Sequence, residues 1–255
     1  MTMHFTSIRR IHFETRMFAS LLIVAVVCLF FAARDVTRDP LMQAVGQLTR
    51  LDHSNVLTIA YLVSAALMLV ATLLRMWAGS QLTSDRVMAF PVQTDRLMTS
   101  GPYHLVRNPI YLADLIAVAG AGLPLGLPGL LLPLLFFIHY SLLIRYEERF
   151  LKQRHGRAFD DFTRRVPRII PSLRSVRGLM QASREFSFTR DGIRHNATYV
   201  MYILGCVAAS RSHVFWHAAV IGLPTLLDWA FIHTKKGTFN FHRAQPLHLG
   251  EEHHA

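Results

Sequence analysis

Two groups of residues in this chain combine charge, aromatic rings and proline at spacings that could do chemistry. The first is Gly101-Pro102-Tyr103-His104-Leu105-Val106-Arg107-Asn108-Pro109-Ile110-Tyr111. The second opens with Glu147-Glu148 and runs through Gly156 to Val166-Pro167-Arg168-Ile169-Ile170-Pro171. In Asn108-Pro109, the residue before proline is pushed out of the α region, while Asn is a good N-cap and Pro suits the first helical position. The pair predicts a helix starting at Pro109, whose unpaired N–H groups and positive dipole end can meet a carboxylate or phosphate. The plainer alternative is a well-capped helix and nothing more. Glu147 and Glu148 repel each other as neighbours. Either Arg145, Arg149 and Lys152 compensate them on a solvated face, or one carboxylate holds a cation or a pair of sugar hydroxyls. Arg107, Arg145 and Arg168 are the candidate catalytic residues. The flanking prolines keep Arg168 on a stiff segment, and a fixed guanidinium grips a carboxylate with two prongs. Lipid headgroups are the competing use of each arginine.

These residues stand at the ends of apolar segments that must position them. The 255 residues are 52% hydrophobic and 17% charged, and the windows 17–33, 56–74, 110–123, 129–144, 197–210 and 214–232 carry almost no charge. A bilayer span takes roughly 17–25 apolar residues, a length the first two windows meet. The third and fourth are shorter, and Gly120, Gly122, Pro124, Gly126, Pro128 and Gly129 mark a tight turn that makes them a helical hairpin. Arg211, His213, His217 and Asp228 interrupt the last pair. The expected fold is all-α: a polytopic transmembrane helical bundle of five or six spans, with a cytosolic helical segment after the fourth. In that segment Tyr146, Phe150, Leu151, Phe159, Phe162 and Val166 recur at helical spacing; Gly156 ends one helix and Pro167 with Pro171 stops the next.

The net charge of +11 fits this topology. With six spans and the N-terminus inside, the inner segments hold twenty-three Lys and Arg against four on the outer ones, which is the positive-inside bias. A nucleic-acid surface would instead be a basic patch with interleaved aromatics on a soluble domain, so no nucleic-acid partner is expected, whereas membrane lipids are. Cys28 and Cys206 lie within apolar windows, which excludes a disulfide framework and a thiolate nucleophile. Arg9, Arg10 and Arg16 ahead of an apolar run imitate a signal peptide, but the downstream spans favour an uncleaved first helix. The fourteen histidines lack the spacing of a zinc site, so no metal is assigned.

In order and spacing, residues 95–103, 107–111, 147–151, Gly156 and 166–171 resemble the isoprenylcysteine carboxyl methyltransferase family and its relatives among the phospholipid methyltransferases. The likeness covers about residues 86–173. It implies an integral-membrane enzyme that uses S-adenosyl-L-methionine at a helical site on the cytosolic side, where the N-terminus also lies. It divides the chain into an N-terminal transmembrane hairpin (1–85), a methyltransferase core (86–173) and a C-terminal extension with two candidate spans (174–255). By the same resemblance Asp95, Arg96, Leu97, Met98, Tyr103, Asn108, Pro109, Ile110 and Tyr111 wrap the cofactor. Glu147 binds it from the next helix with Glu148 as its neighbour, and Arg145 or Arg168 faces a lipidic or amphipathic acceptor. Much of the family has histidine at the position of Asn108, and Asn cannot titrate, so this position supplies no general base. A carboxylate acceptor needs none, because transfer from a sulfonium then rests on approach geometry and exclusion of water. Two other readings stay open. One is a membrane reductase of the sterol-reductase type with a nicotinamide cofactor. The other is a transporter or scaffold, against which stands the near-absence of intramembrane charge in the first four spans, Asp114 with His139 excepted.

Overall fold

The structure is a computed structural model and describes residues 15–32, 39–81, 96–177, 187–194, 199–213 and 217. Among the described residues all regular structure is helical and there is no strand. The helices are α1 (Arg16–Ala32), α2 (Pro40–Thr49), α3 (His53–Gln81), α4 (Pro109–Gly122), α5 (Leu131–His155), α6 (Arg157–Arg165), α7 (Leu173–Arg177), α8 (Arg190–Arg194) and α9 (Tyr199–Ser212). The expected sixth span, 214–232, lies outside the described residues apart from residue 217.

Among the described residues, two helical stretches are long and apolar enough to cross a membrane: His53–Gln81, with mean hydropathy 2.3, and Leu127–His155, with mean hydropathy 2.0. α1 and α4 are apolar but shorter, at 17 and 14 residues. The brevity of α4 has a local cause. Pro124, Gly126 and Pro128 split the chain after Gly122 into two 3-10 turns, Leu123–Leu125 and Leu127–Leu130, before α5 begins. Gly122 and Gly129 touch backbone to backbone across this turn, so a Cβ on either would collide with the carbonyl oxygen of the other. The buried Asp39 fastens the same turn from outside. It caps α2 by accepting from the Leu41 and Met42 N–H groups and also accepts the Leu127 N–H at 3.1 Å.

The hairpin of α4 and α5 is lined on one side by α3 and on the other by α1. Small residues bring α3 and α4 together: Ala71 and Ala117 are buried between them, and the Ser64 hydroxyl donates to the Gly120 carbonyl at 2.7 Å. α9 covers the same seam with Tyr199, Tyr202 and Ile203. Val27, Leu125, Leu132, Phe136, Tyr140, Leu143, Ile144 and Ile169 fill the core between α1, the turn and α5. Outward-facing positions such as Phe18, Leu22, Leu29, Leu62, Val70, Leu134 and Ile138 are exposed and apolar, as suits a helix surface that meets hydrocarbon. His139 bonds the Ser20 hydroxyl of α1 at 3.2 Å, a link between helices.

At the other end of the hairpin, α5 stops at Gly156, whose φ of 50° favours glycine and whose N–H returns to the Lys152 carbonyl. α6 then folds back with Phe159 and Phe162 buried. This end carries the residues singled out by the sequence.

Gly129→Ala is expected to destabilise the fold by roughly 1–3 kcal/mol, because the added methyl meets backbone and not a movable side chain. Thermal unfolding of the purified protein in detergent checks this; an unchanged midpoint would show that the two strands of the turn do not touch.

Candidate functional site

Glu148 is the most tightly held side chain at this end. The Arg107 Nε and Nη2 groups donate to its Oε1 at 3.0 and 2.9 Å, and the Arg168 Nε and Nη2 groups donate to its Oε2 at 2.9 and 2.7 Å. The Arg107 Nη1 group donates to the Thr163 and Val166 carbonyls, and the Arg107 backbone N–H donates to the Pro167 carbonyl at 2.9 Å. Every guanidinium nitrogen of Arg107 is therefore engaged, and its side chain is 10% exposed. Arg168 is held from one side and is 42% exposed. One carboxylate from α5 thus joins the loop before α4 to the segment after α6.

Glu147 points elsewhere. The Tyr111 hydroxyl, from the first turn of α4, donates to its Oε1 at 2.7 Å, so the two helices of the hairpin meet through a phenol and a carboxylate. Arg16 at the start of α1 lies within electrostatic range of both residues. Tyr103 is buried against Phe162 and Val166, with Leu97 and Met98 packed beside it. Burial first, then the nearby charge of Glu147, pushes the Tyr103 phenol well above its ordinary value, so the ring stays neutral at any physiological pH.

The structure also departs from several expectations. α4 does begin at Pro109 with Asn108 ahead of it, but the Asn108 side chain makes no cap bond. Its Nδ2 donates to the Arg168 carbonyl at 3.1 Å, because the chain after α6 lies alongside. Arg145, Arg149 and Lys152 do not compensate the acid pair: Glu148 takes Arg107 and Arg168, and Lys152 pairs with Asp160 at 3.0 Å. Arg107, a candidate catalytic residue, spends its side chain on Glu148 and on the Thr163 and Val166 carbonyls. Glu148, expected beside the cofactor, has both oxygens occupied by arginine. Arg145 and Arg96 are exposed, Ile110 is half-buried and Pro109 is buried. Asp95 lies outside the described residues.

Sequence reasoning missed Arg16, Arg75, Tyr140 and Tyr199. Asp114 was visible as a charge in an apolar window, and Arg75 stands one residue past the end of another. In the structure these two form an ion pair between α3 and α4.

The described residues thus form a helical bundle with apolar outer faces and a phenol–carboxylate bond at one end of its hairpin. Residues 59–158 match the phospholipid methyltransferase family. The nickel-cobalt-cadmium resistance protein NccN of Alcaligenes xylosoxydans xylosoxydans is 31% identical over 176 residues, covering 64% of this chain and 77% of that protein. The cobalt-zinc-cadmium resistance protein CzcN of Cupriavidus metallidurans is 32% identical over 112 residues, 43% of this chain and 48% of that one. The Delta(14)-sterol reductase of Mus musculus is 39% identical over 87 residues, 32% of this chain and 21% of the reductase. The chain thus spans about half the length of the second of these relatives and a fifth of the third. No solved structure matches. This chain belongs to the phospholipid methyltransferase family, whose members are membrane methyltransferases.

Arg107→Met is expected to cost roughly 3–5 kcal/mol, because it leaves a buried carboxylate half-paired and strips three backbone carbonyl and carboxylate contacts at once. Arg168→Met should cost less, since water reaches that side of the pair. Unfolding in detergent ranks the two variants; equal losses would contradict the difference in burial.

Proposed function

We propose that this chain transfers a methyl group from S-adenosyl-L-methionine to a lipidic or amphipathic acceptor, with a carboxylate favoured, at the cytosolic surface of a membrane. In this reading the chain crosses the membrane five or six times with its N-terminus on the cytosolic side. Residues 1–85 form an N-terminal hairpin, 86–173 the methyltransferase core and 174–255 an extension. The observation that carries the proposal is the bond from Tyr111 to Glu147, which gathers a carboxylate, two aromatic rings and a helix N-terminus at one place.

The donor set suits the cofactor. The N-terminus of α4 at Pro109, Ile110 and Tyr111 fits its carboxylate. Glu147 fits its ammonium or its ribose hydroxyls, and the rings of Tyr103 and Tyr111 fit a sulfonium cation. When bound, the cofactor supplies an electrophilic methyl group. The chain's own residues do the rest. Tyr111 fixes the direction of the Glu147 carboxylate. Tyr103, Leu97 and Met98 form a dry wall with Phe162 and Val166. Arg145 and the open side of Arg168 are free to draw an anionic acceptor, while Glu148 and Arg107 hold Arg168 in place. Asn108 offers no base, and a carboxylate acceptor requires none.

The identity to the mouse reductase favours a second reading, in which the cofactor is a nicotinamide dinucleotide. Glu147 counts against it, since a pyrophosphate prefers arginine to a carboxylate. Equilibrium binding of S-adenosyl-L-methionine and of NADPH to the purified protein separates the two readings, and binding of NADPH alone would overturn the proposal.

Membranes incubated with radiolabelled methyl donor should yield labelled lipid extract. Label released by mild base identifies an ester, and base-stable label would move the acceptor to an amine or hydroxyl. Glu147→Gln is expected to weaken cofactor affinity by about tenfold, the worth of one charge-assisted hydrogen bond, with membrane insertion intact. An unchanged dissociation constant would remove Glu147 from the site.

A further inference from the structure

We infer that Asp114, together with the Tyr140 and Tyr199 hydroxyls it accepts, positions the Tyr111–Glu147 pair, which makes α9 a working wall of the site. The inference rests on the proposed cofactor site and adds residues that the sequence reading left without a role.

Asp114 joins four helices. Arg75 of α3 pairs with its Oδ1, the Tyr199 hydroxyl of α9 donates to the same oxygen at 3.1 Å, and the Tyr140 hydroxyl of α5 donates to Oδ2 at 3.3 Å. The Arg75 guanidinium also lies over the Tyr199 ring, 5.1 Å from its centre. The side chains of Arg75 and Asp114 are 13% and 17% exposed. Charges inside an apolar bundle persist where partners surround them, and they then fix geometry strictly.

The geometry that Asp114 fixes is that of the site. Asp114 is one turn beyond Tyr111 on α4, and Tyr140 is two turns before Glu147 on α5. The Tyr140 and Tyr111 rings pack at 4.8 Å between centroids with a 53° tilt. The bond from Tyr140 to Asp114 sets the surface on which the Tyr111 ring rests, and Tyr111 in turn directs Glu147. The hairpin is therefore joined by two rungs in contact, Tyr140–Asp114 and Tyr111–Glu147. The inner rung is completed by Tyr199, which lies beyond the residues that match the family. A bare ion pair would suffice to hold α3 against α4; the two directed phenols do more, because they fix ring orientation.

The test uses the full chain in detergent or nanodiscs with Tyr140→Phe and Tyr199→Phe, which keep each ring and remove one hydroxyl. Both variants should unfold within a few degrees of the wild type, yet raise the S-adenosyl-L-methionine dissociation constant by about five- to tenfold. In a Glu147→Gln background that increment should vanish, as a double-mutant cycle requires of coupled residues. Wild-type binding with unchanged affinity in both variants would overturn the inference. Hydrogen exchange in the apoprotein decides independently of the cofactor. The Leu112 amide in the first turn of α4 should exchange several-fold faster in Tyr199→Phe, while amides in the middle of α3 stay unchanged. Equal rates at Leu112 would overturn the inference, whereas a wild type that ignores S-adenosyl-L-methionine but shows the exchange effect would overturn the cofactor reading alone.

Discussion

The Glu148 carboxylate lies between two guanidiniums that reach it from different parts of the chain, Arg107 ahead of α4 and Arg168 after α6. A carboxylate buried without partners costs several kcal/mol, so each arginine is obliged to stay where it is as long as α5 is folded. Their obligations spread outward. Arg107 also satisfies the carbonyls of Thr163, Val166 and, through its backbone, Pro167, which are groups that the end of α6 leaves open. The carbonyl of Arg168 takes the Asn108 amide. Two loops that would otherwise be surface connections become a rigid frame, and Glu147, next door to Glu148, is delivered to Tyr111 by that frame.

Much of this was legible in the residues. Asn108-Pro109 announces where α4 starts, Gly156 where α5 ends, and the glycines and prolines from Gly120 to Gly129 announce the turn, because each acts through its own backbone. The acid pair at Glu147-Glu148 was also conspicuous. Its partners were not, since spacing along a helix reveals neighbours three or four positions away, whereas Arg107 and Arg168 stand 41 and 20 residues from Glu148. The missing cap bond has the same origin: Asn108 does stand at the N-cap position, but its amide is turned to a carbonyl brought in by tertiary packing. Asp114 stood out as a charge in an apolar run, yet its partners are spread over α3, α5 and α9. Of the six apolar windows, two coincide with helices long enough to cross a membrane among the described residues. Window 110–123 reads as apolar to its end, but the prolines stop the α-helix at Gly122.

The two acidic nodes differ in kind. Glu148 is surrounded by charge and backbone at the polar end of the bundle and ties loops to a helix. Asp114 is surrounded by phenols and one guanidinium inside the bundle and ties helices to each other. Between them lies the Tyr111–Glu147 bond, with the phenol as donor and Arg16 within electrostatic range. Arg75, Arg107 and Arg168 are thus committed to Asp114 and Glu148, while Glu147 takes a phenol, a division that suits recognition of a cationic ligand.

The backbone contact between Gly122 and Gly129 has a mechanical consequence. It makes the turn a fixed pivot, with α4 as a lever about 21 Å long at 1.5 Å of rise per residue, and a swing of about five degrees would displace the lever's far tip by about 2 Å. That displacement exceeds the tolerance of a hydrogen bond. Bulk added at the pivot, or thickening of the surrounding lipid that splays the two arms, would therefore be felt as misalignment between Tyr111 and Glu147 at the opposite extremity, although no atom there had been altered.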